Sequence, residues 1–215
     1  MKRYIDLTHL IDEDMPVWPG TPQPEIKQPM TLGEDICTVQ SIRFNCHLGT
    51  HLDAPSHFIE DGITVHQISL ETLIGKAIIL DFTGKGKNGL ITREDLQRHQ
   101  DRFDHGARVL IKTGWDKNFR PVSFYEEFPC LTLEAAEYLA YRKIRLLGMD
   151  TPSSSPVEDP GQAIHKILLG AGIVLLEAVK NLTLLHQDEC ELIVLPPLFK
   201  NFSGAPCRVL AMVEN

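Results

Sequence analysis

Six short apolar runs, rich in β-branched residues and bounded by turn residues, constrain this chain more than any other feature. They lie at Ala77–Phe82, Arg108–Thr113, Ile144–Met149, Gly172–Glu177, Glu191–Leu195 and Arg208–Val213, and each reads as a strand. Helix candidates fall between several of them. Thr92–Phe103 opens with Thr92 and, three residues on, Asp95, a pattern close to a capping box. In Thr132–Arg142, Thr132 can cap an Ala/Glu/Leu-rich segment. Strand and helix alternate through the middle, which favours an α/β fold with a mixed sheet flanked by helices. Before that, Pro16, Pro19, Pro22, Pro24 and Pro29 mark the first 60 residues as loops and short strands wrapped on the sheet. The loop-rich stretches Gly84–Gly89 and Pro152–Gly161 are short enough to lie inside one domain, so residues 1–215 are expected to form a single unit.

Composition narrows the function. Acidic residues outnumber basic ones by 29 to 21, for a formal charge of −8. A phosphate backbone calls for a cationic surface, so no nucleic-acid partner is expected. Asp6 interrupts any apolar run after Lys2 and Arg3, and the apolar stretches fall short of the roughly 20 residues that span a bilayer. Neither a signal peptide nor a membrane association is expected. Five widely spread cysteines with no C-x-x-C pair argue against a disulfide framework and a thiolate zinc site. Reduced thiols in the cytoplasm are the plain reading.

The histidines carry the chemistry. Of nine, three fall with one aspartate inside the eleven residues His47–His57. His47, His51, Asp53 and His57 share odd parity, so an extended backbone would project all four from one face, while Gly49 and Pro55 supply bends that could make that face concave. Cys46 would point the other way, as a small core residue. Imidazole and carboxylate are ligands for zinc, manganese or iron. A lone histidine is ordinarily a satisfied surface or core residue, but four such groups this close would be costly to bury unpaired.

The run His47-Leu-Gly49-Thr50-His51-Leu-Asp53-Ala-Pro55-Ser-His57-Phe58 resembles the signature of the metal-dependent cyclase family, which includes bacterial kynurenine formamidases and isatin hydrolases. Further matching segments run the length of the chain: Ile5–His9, Val17–Gly20, Thr113–Trp115, Gly148–Ser153 and 165–177. The resemblance implies a swivelling β/β/α-like fold and a centre of one or two divalent ions, zinc or manganese first. Its ligands would be His47, His51, Asp53, His165 and Glu177, with Asp53 bridging if two ions bind. Spacing alone would not pair the last two, since twelve residues at about 100° each leave positions 165 and 177 about 120° apart on a helix. Gly170 and Gly172 can end a short helix carrying His165 and start a strand carrying Glu177.

His57 is then left free to move protons, with an extra ligand or supporting hydrogen bonder as its alternatives. The chemistry so implied is hydrolysis of an aryl formamide or related amide, with activated water attacking and His57 protonating the leaving amine. N-formylkynurenine is the first candidate substrate. Lactam hydrolysis of the isatin kind, a cyclase-type dehydration, and a non-catalytic metal-binding module are the alternatives. Trp18, held among prolines, is a candidate to stack on an aromatic substrate or else to fill a gap under its loop. Asp150 could support a ligand histidine or shape the turn before Pro152. His9, His66, His99, His105 and His186 read as ordinary residues, and Ser153–Pro156 carries no specificity signal. The Arg108–Phe128 stretch, with Thr113-Gly114-Trp115-Asp116 followed by an insertion through Phe124-Tyr125, looks closer to the broader cyclase and isatin-hydrolase-like members than to the compact kynurenine formamidases. The resemblance also implies a homodimer or homotetramer, with the Pro-rich N-terminal segment as an exchanged arm.

Overall fold

A computed structural model describes residues 1–120, 122–159 and 161–214. Pro160, within the expected Pro152–Gly161 loop, lies outside them. The described residues form thirteen strands: β1 (Lys2–Asp6), β2 (Glu25–Met30), β3 (Val39–Arg43), β4 (His51–Asp53), β5 (Ile74–Asp81), β6 (Leu90–Ile91), β7 (Arg108–Lys112), β8 (Cys130–Leu131), β9 (Leu146–Met149), β10 (Val174–Glu177), β11 (Glu189–Leu195), β12 (Gly204–Pro206) and β13 (Arg208–Glu214). Four helices accompany them: α1 (Leu70–Leu73), α2 (Arg93–Gln97), α3 (Leu133–Arg142) and α4 (Ala163–Gly170). Each of the six apolar runs is a strand, as expected.

Nine strands form one mixed sheet in the order β1-β13-β11-β5-β7-β9-β10-β4-β12. Its middle, β5-β7-β9-β10, is parallel, and the pairs on either side are antiparallel. One face packs Leu80, Val109, Leu147 and Leu175 against Leu96 of α2, Leu139 of α3 and Leu168 of α4. The other buries Leu7, Leu110, Leu176, Val194 and Val209. Strands covered on both faces must be apolar throughout, which is why β7, β9 and β10 read as continuous runs rather than alternating ones.

Thr92 and Asp95 do form a capping box, each side chain bonding the other's backbone N–H. The helix they start is shorter than the expected Thr92–Phe103, because it stops at Gln97 and resumes as a single turn at Gln100–Arg102. Arg102 tethers that turn by donating to the carbonyls of Ile79 and Asp188. Thr132 caps α3 through the Ala135 N–H. Near the N-terminus, β1 joins the sheet edge, whereas β2 and β3 form a separate two-stranded hairpin that is exposed along almost its whole length. No helix among the described residues is long and apolar enough to cross a membrane.

Candidate metal centre

Register builds the centre. In the antiparallel pairing of β4 with β10, His51 lies directly opposite Glu177 and Asp53 opposite Leu175. Directly opposed residues share a face, and so do positions two apart on a strand, so His51, Asp53 and Glu177 emerge side by side. The shared-parity expectation holds only for this short strand. His47 precedes it in irregular chain, where Gly49 turns at φ +57°, a conformation open to glycine at little cost. His57 ends a 3-10 turn begun by Pro55. The four groups therefore converge through the two bends, not along an extended run. As expected, α4 carries His165, and Gly172 (φ +77°) turns the chain into β10.

Asp53 sits at the middle, 1% exposed. Its Oδ1 is 2.6 Å from His47 Nδ1 and 3.4 Å from His51 Nε2, while its Oδ2 is 4.0 Å from His165 Nε2. Glu177 offers Oε2 to His51 Nε2 at 3.7 Å and Oε1 to His165 Nε2 at 3.4 Å. Two overlapping groups of metal-type donors result, His51-Asp53-Glu177 and His47-Asp53-His57, sharing the Asp53 carboxylate. His57 belongs to the second of these groups. Its ring stacks on that of His47 at 3.8 Å.

Supporting contacts orient these donor side chains. His51 Nδ1 lies 2.8 Å from the Gly49 carbonyl. A carbonyl can only accept, so the proton sits on Nδ1 and Nε2 is left to face the two carboxylates. Three lone-pair groups aimed at one another in a buried pocket repel unless a proton or a cation lies between them. Ser155 Oγ bonds His165 Nδ1 at 2.7 Å, Ser203 Oγ lies 3.2 Å from His47 Nε2, and the Ser154 N–H donates to Glu177 at 3.0 Å. Close approach matters at Gly204 of β12, where a Cβ would fall 2.5 Å from His47 Cε1.

The titration behaviour follows. Burial alone would lower the His47 pKa, but the Asp53 carboxylate outweighs it and raises the value to about 10. Burial likewise opposes, and neighbouring carboxylates reverse, the shifts of His51 and His165, both raised. Asp53 is driven well below the carboxylate range: burial would raise it, and His47 and His51 outweigh that. His57 goes the other way, lowered to about 4 chiefly by burial, so it is neutral near pH 7. Imidazoles whose hold on a proton is strengthened by neighbouring carboxylates form an N/O set that a divalent cation fits by displacing protons.

The centre floors a cleft of about 390 Å³ whose walls include Trp18, Phe58, Tyr125, Pro152 and Ala178. Trp18 meets Tyr125 edge to face at 5.6 Å. Asp150 is no support for a ligand histidine, because its carboxylate accepts from the N–H groups of Thr113 and Gly114 and from the Thr113 hydroxyl, stitching the ends of β7 and β9 together. Burial raises its pKa to about 7. Cys46 is half-buried against Ser203 Oγ at 3.9 Å, outside the apolar core expected for it. His9 is 6% exposed and stacked on Phe119. Tyr125, Gln162, Ser155 and Ser203 border the cleft or its ligands without having been singled out from sequence, since none lies in a ligand-like pattern.

The Cyclase family model matches residues 5–156. Kynurenine formamidases of Bacillus cytotoxicus and Geobacillus thermodenitrificans are 30% and 31% identical to the chain over 210 residues, covering 96% and 97% of it and 96% of each relative. Isatin hydrolase A from Labrenzia aggregata, solved with benzyl benzoate bound, is 29% identical with a TM-score of 0.89, spanning 100% of this chain and 94% of that one. A predicted metal-dependent hydrolase from Bacillus stearothermophilus is 30% identical with a TM-score of 0.84, spanning 99% and 98%.

Proposed function

The chain belongs to the Cyclase family and is a metal-dependent hydrolase, and from that premise we propose that it cleaves an aryl formamide or related amide. N-formylkynurenine is the first substrate to try. The observation that carries this reading is the Asp53 carboxylate shared between two His/carboxylate groups at the floor of an aromatic-walled cleft. His51, His165 and Glu177, with Asp53 common to both groups, would hold one cation, and His47 with Asp53 would hold a second where two bind. A bound divalent cation supplies Lewis-acid polarisation of the amide carbonyl and eases deprotonation of the attacking water. Zinc or manganese is the first cation to try, and iron takes the same imidazole and carboxylate donors.

His57, neutral near pH 7, takes a proton from the attacking water at a ring nitrogen and delivers it to the leaving nitrogen. The C–N bond then breaks to an aryl amine and a carboxylic acid, which loses its remaining proton to solvent at neutral pH. Asp53 and Glu177 hold the imidazoles of His51 and His165 in place, and Trp18 packs against the substrate ring. The likeness to isatin hydrolase A supports a second reading, opening of a cyclic amide at the same site. Holoprotein assayed side by side on N-formylkynurenine and isatin separates the two. Activity that survives chelation, or full kcat in His57→Ala, would overturn the mechanism.

Exposed Ile26, Ile36, Val39 and Ile42 on the β2–β3 hairpin support a homodimer or homotetramer, since apolar side chains on an isolated hairpin gain from being covered. Five free cysteines suit a reducing, cytoplasmic setting.

A further inference from the structure

Residues 9–18 and, remote from them in sequence, residues 115–120 and 123–125 grip one another at four points beside the cleft. The His9 ring stacks on Phe119 at 3.6 Å. Both Arg120 Nη atoms donate to the Asp12 carboxylate, at 3.0 and 2.8 Å. The Tyr125 hydroxyl donates to the Pro16 carbonyl at 3.2 Å, and its ring stands nearly perpendicular to that of Trp18, at 84°. Behind them, Trp115 Nε1 donates to the Phe124 carbonyl at 2.9 Å, and Phe124 lies edge-on to both Phe119 and Tyr125. Of all these side chains only Trp18 and Tyr125 line the cleft. The rest hold those two at a fixed angle.

Resting on the hydrolase reading above, we propose that Tyr125 is a specificity-determining residue that selects aryl over aliphatic amides, and that Arg120 and Phe119 are positioning residues acting through it. Two rings in edge-to-face contact leave no space between them but form a right-angled corner on the cleft wall, which offers a group seated against it a face of one ring and an edge of the other. A planar aromatic group satisfies both at once, stacking on the face and meeting the edge, whereas a flexible alkyl group gains only contact area. The ring and hydroxyl of Tyr125 are both spoken for, so its orientation is set before substrate arrives and little ordering remains to oppose binding.

The test compares N-formylkynurenine with N-formylbutylamine, using holoprotein. In Tyr125→Leu the aryl-to-aliphatic ratio of kcat/KM is expected to fall at least tenfold, through KM more than kcat. Arg120→Met should lower the ratio two- to fivefold, and the charge swap Asp12→Arg with Arg120→Asp should restore it. Tyr125→Phe, which loses only the bond to Pro16, gives a milder version should Tyr125→Leu fail to fold. A second readout uses metal-free protein: quenching of the fluorescence of Trp18 and Trp115 by 2′-aminoacetophenone, whose Kd should rise at least tenfold in Tyr125→Leu. An unmoved ratio together with an unmoved Kd overturns the inference even if formamides are cleaved. Tyr125-dependent binding of the ketone in a protein that cleaves no formamide sustains the aromatic wall and sinks the hydrolase reading instead.

Discussion

Acid should destabilise this protein through His9. The ring is 6% exposed, stacked on Phe119, with Nε2 buried and lacking a partner among the described residues. Burial above all, then the cations of Lys180 and Arg120, lowers its pKa from 6.5 to about 3. The unfolded chain takes up a proton near 6.5 that the folded chain refuses. Stability is therefore fully present above pH 6.5 and is lost as pH falls from there toward 3. One proton corresponds to about 1.4 kcal/mol per pH unit, so the contribution lost by pH 5 is about 2 kcal/mol. Local opening that lets water reach Nε2 would make the loss smaller. His9→Phe keeps the stack and removes the titration. Denaturant unfolding of metal-free wild type and His9→Phe at pH 7.5 and pH 5 measures the difference, and contributions from the ligand histidines, common to both proteins, cancel. Equal pH dependence in the two would refute the reasoning.

Metal binding at pH 7 should release protons, because the Asp53 carboxylate holds His47 protonated, neighbouring carboxylates raise the pKa of His51 and His165, and a cation requires neutral imidazole. Affinity should rise with pH, and calorimetry in buffers of different ionisation enthalpy would show no proton exchange if this is wrong. Asp53→Asn removes the carboxylate shared by both donor groups, so metal affinity should fall at least about 100-fold, given that even supporting partners of metal ligands are worth about 10–100-fold. Gly204→Ala places a methyl 2.5 Å from His47 Cε1; a displaced ring should lower metal affinity, and overpacking should destabilise the fold by about 1–3 kcal/mol. Ile26→Asp with Ile42→Asp charges the apolar face of the hairpin, where the two residues are directly paired, and should shift any dimer or tetramer to monomer in sedimentation analysis.

What was legible in the sequence was local. The parallel strands announce themselves because burial on both faces demands unbroken apolar runs, and Thr92 and Thr132 announce helix starts because capping acts over three residues. His47, His51, Asp53 and His57 stand out because four ligand-forming residues sit within eleven positions. His165 and Glu177 could be joined to them only through a family resemblance, since no periodicity links a helix to the strand after it. The register that sets His51 opposite Glu177, the bends that replace an extended face, and the serines that orient the imidazoles belong to the tertiary structure. So do the fate of Asp150, taken up by Thr113 and Gly114, and the burial of His9. Each of these depends on which segments cross in space, and side chains such as Tyr125 acquire meaning only from partners that lie more than a hundred residues away along the chain.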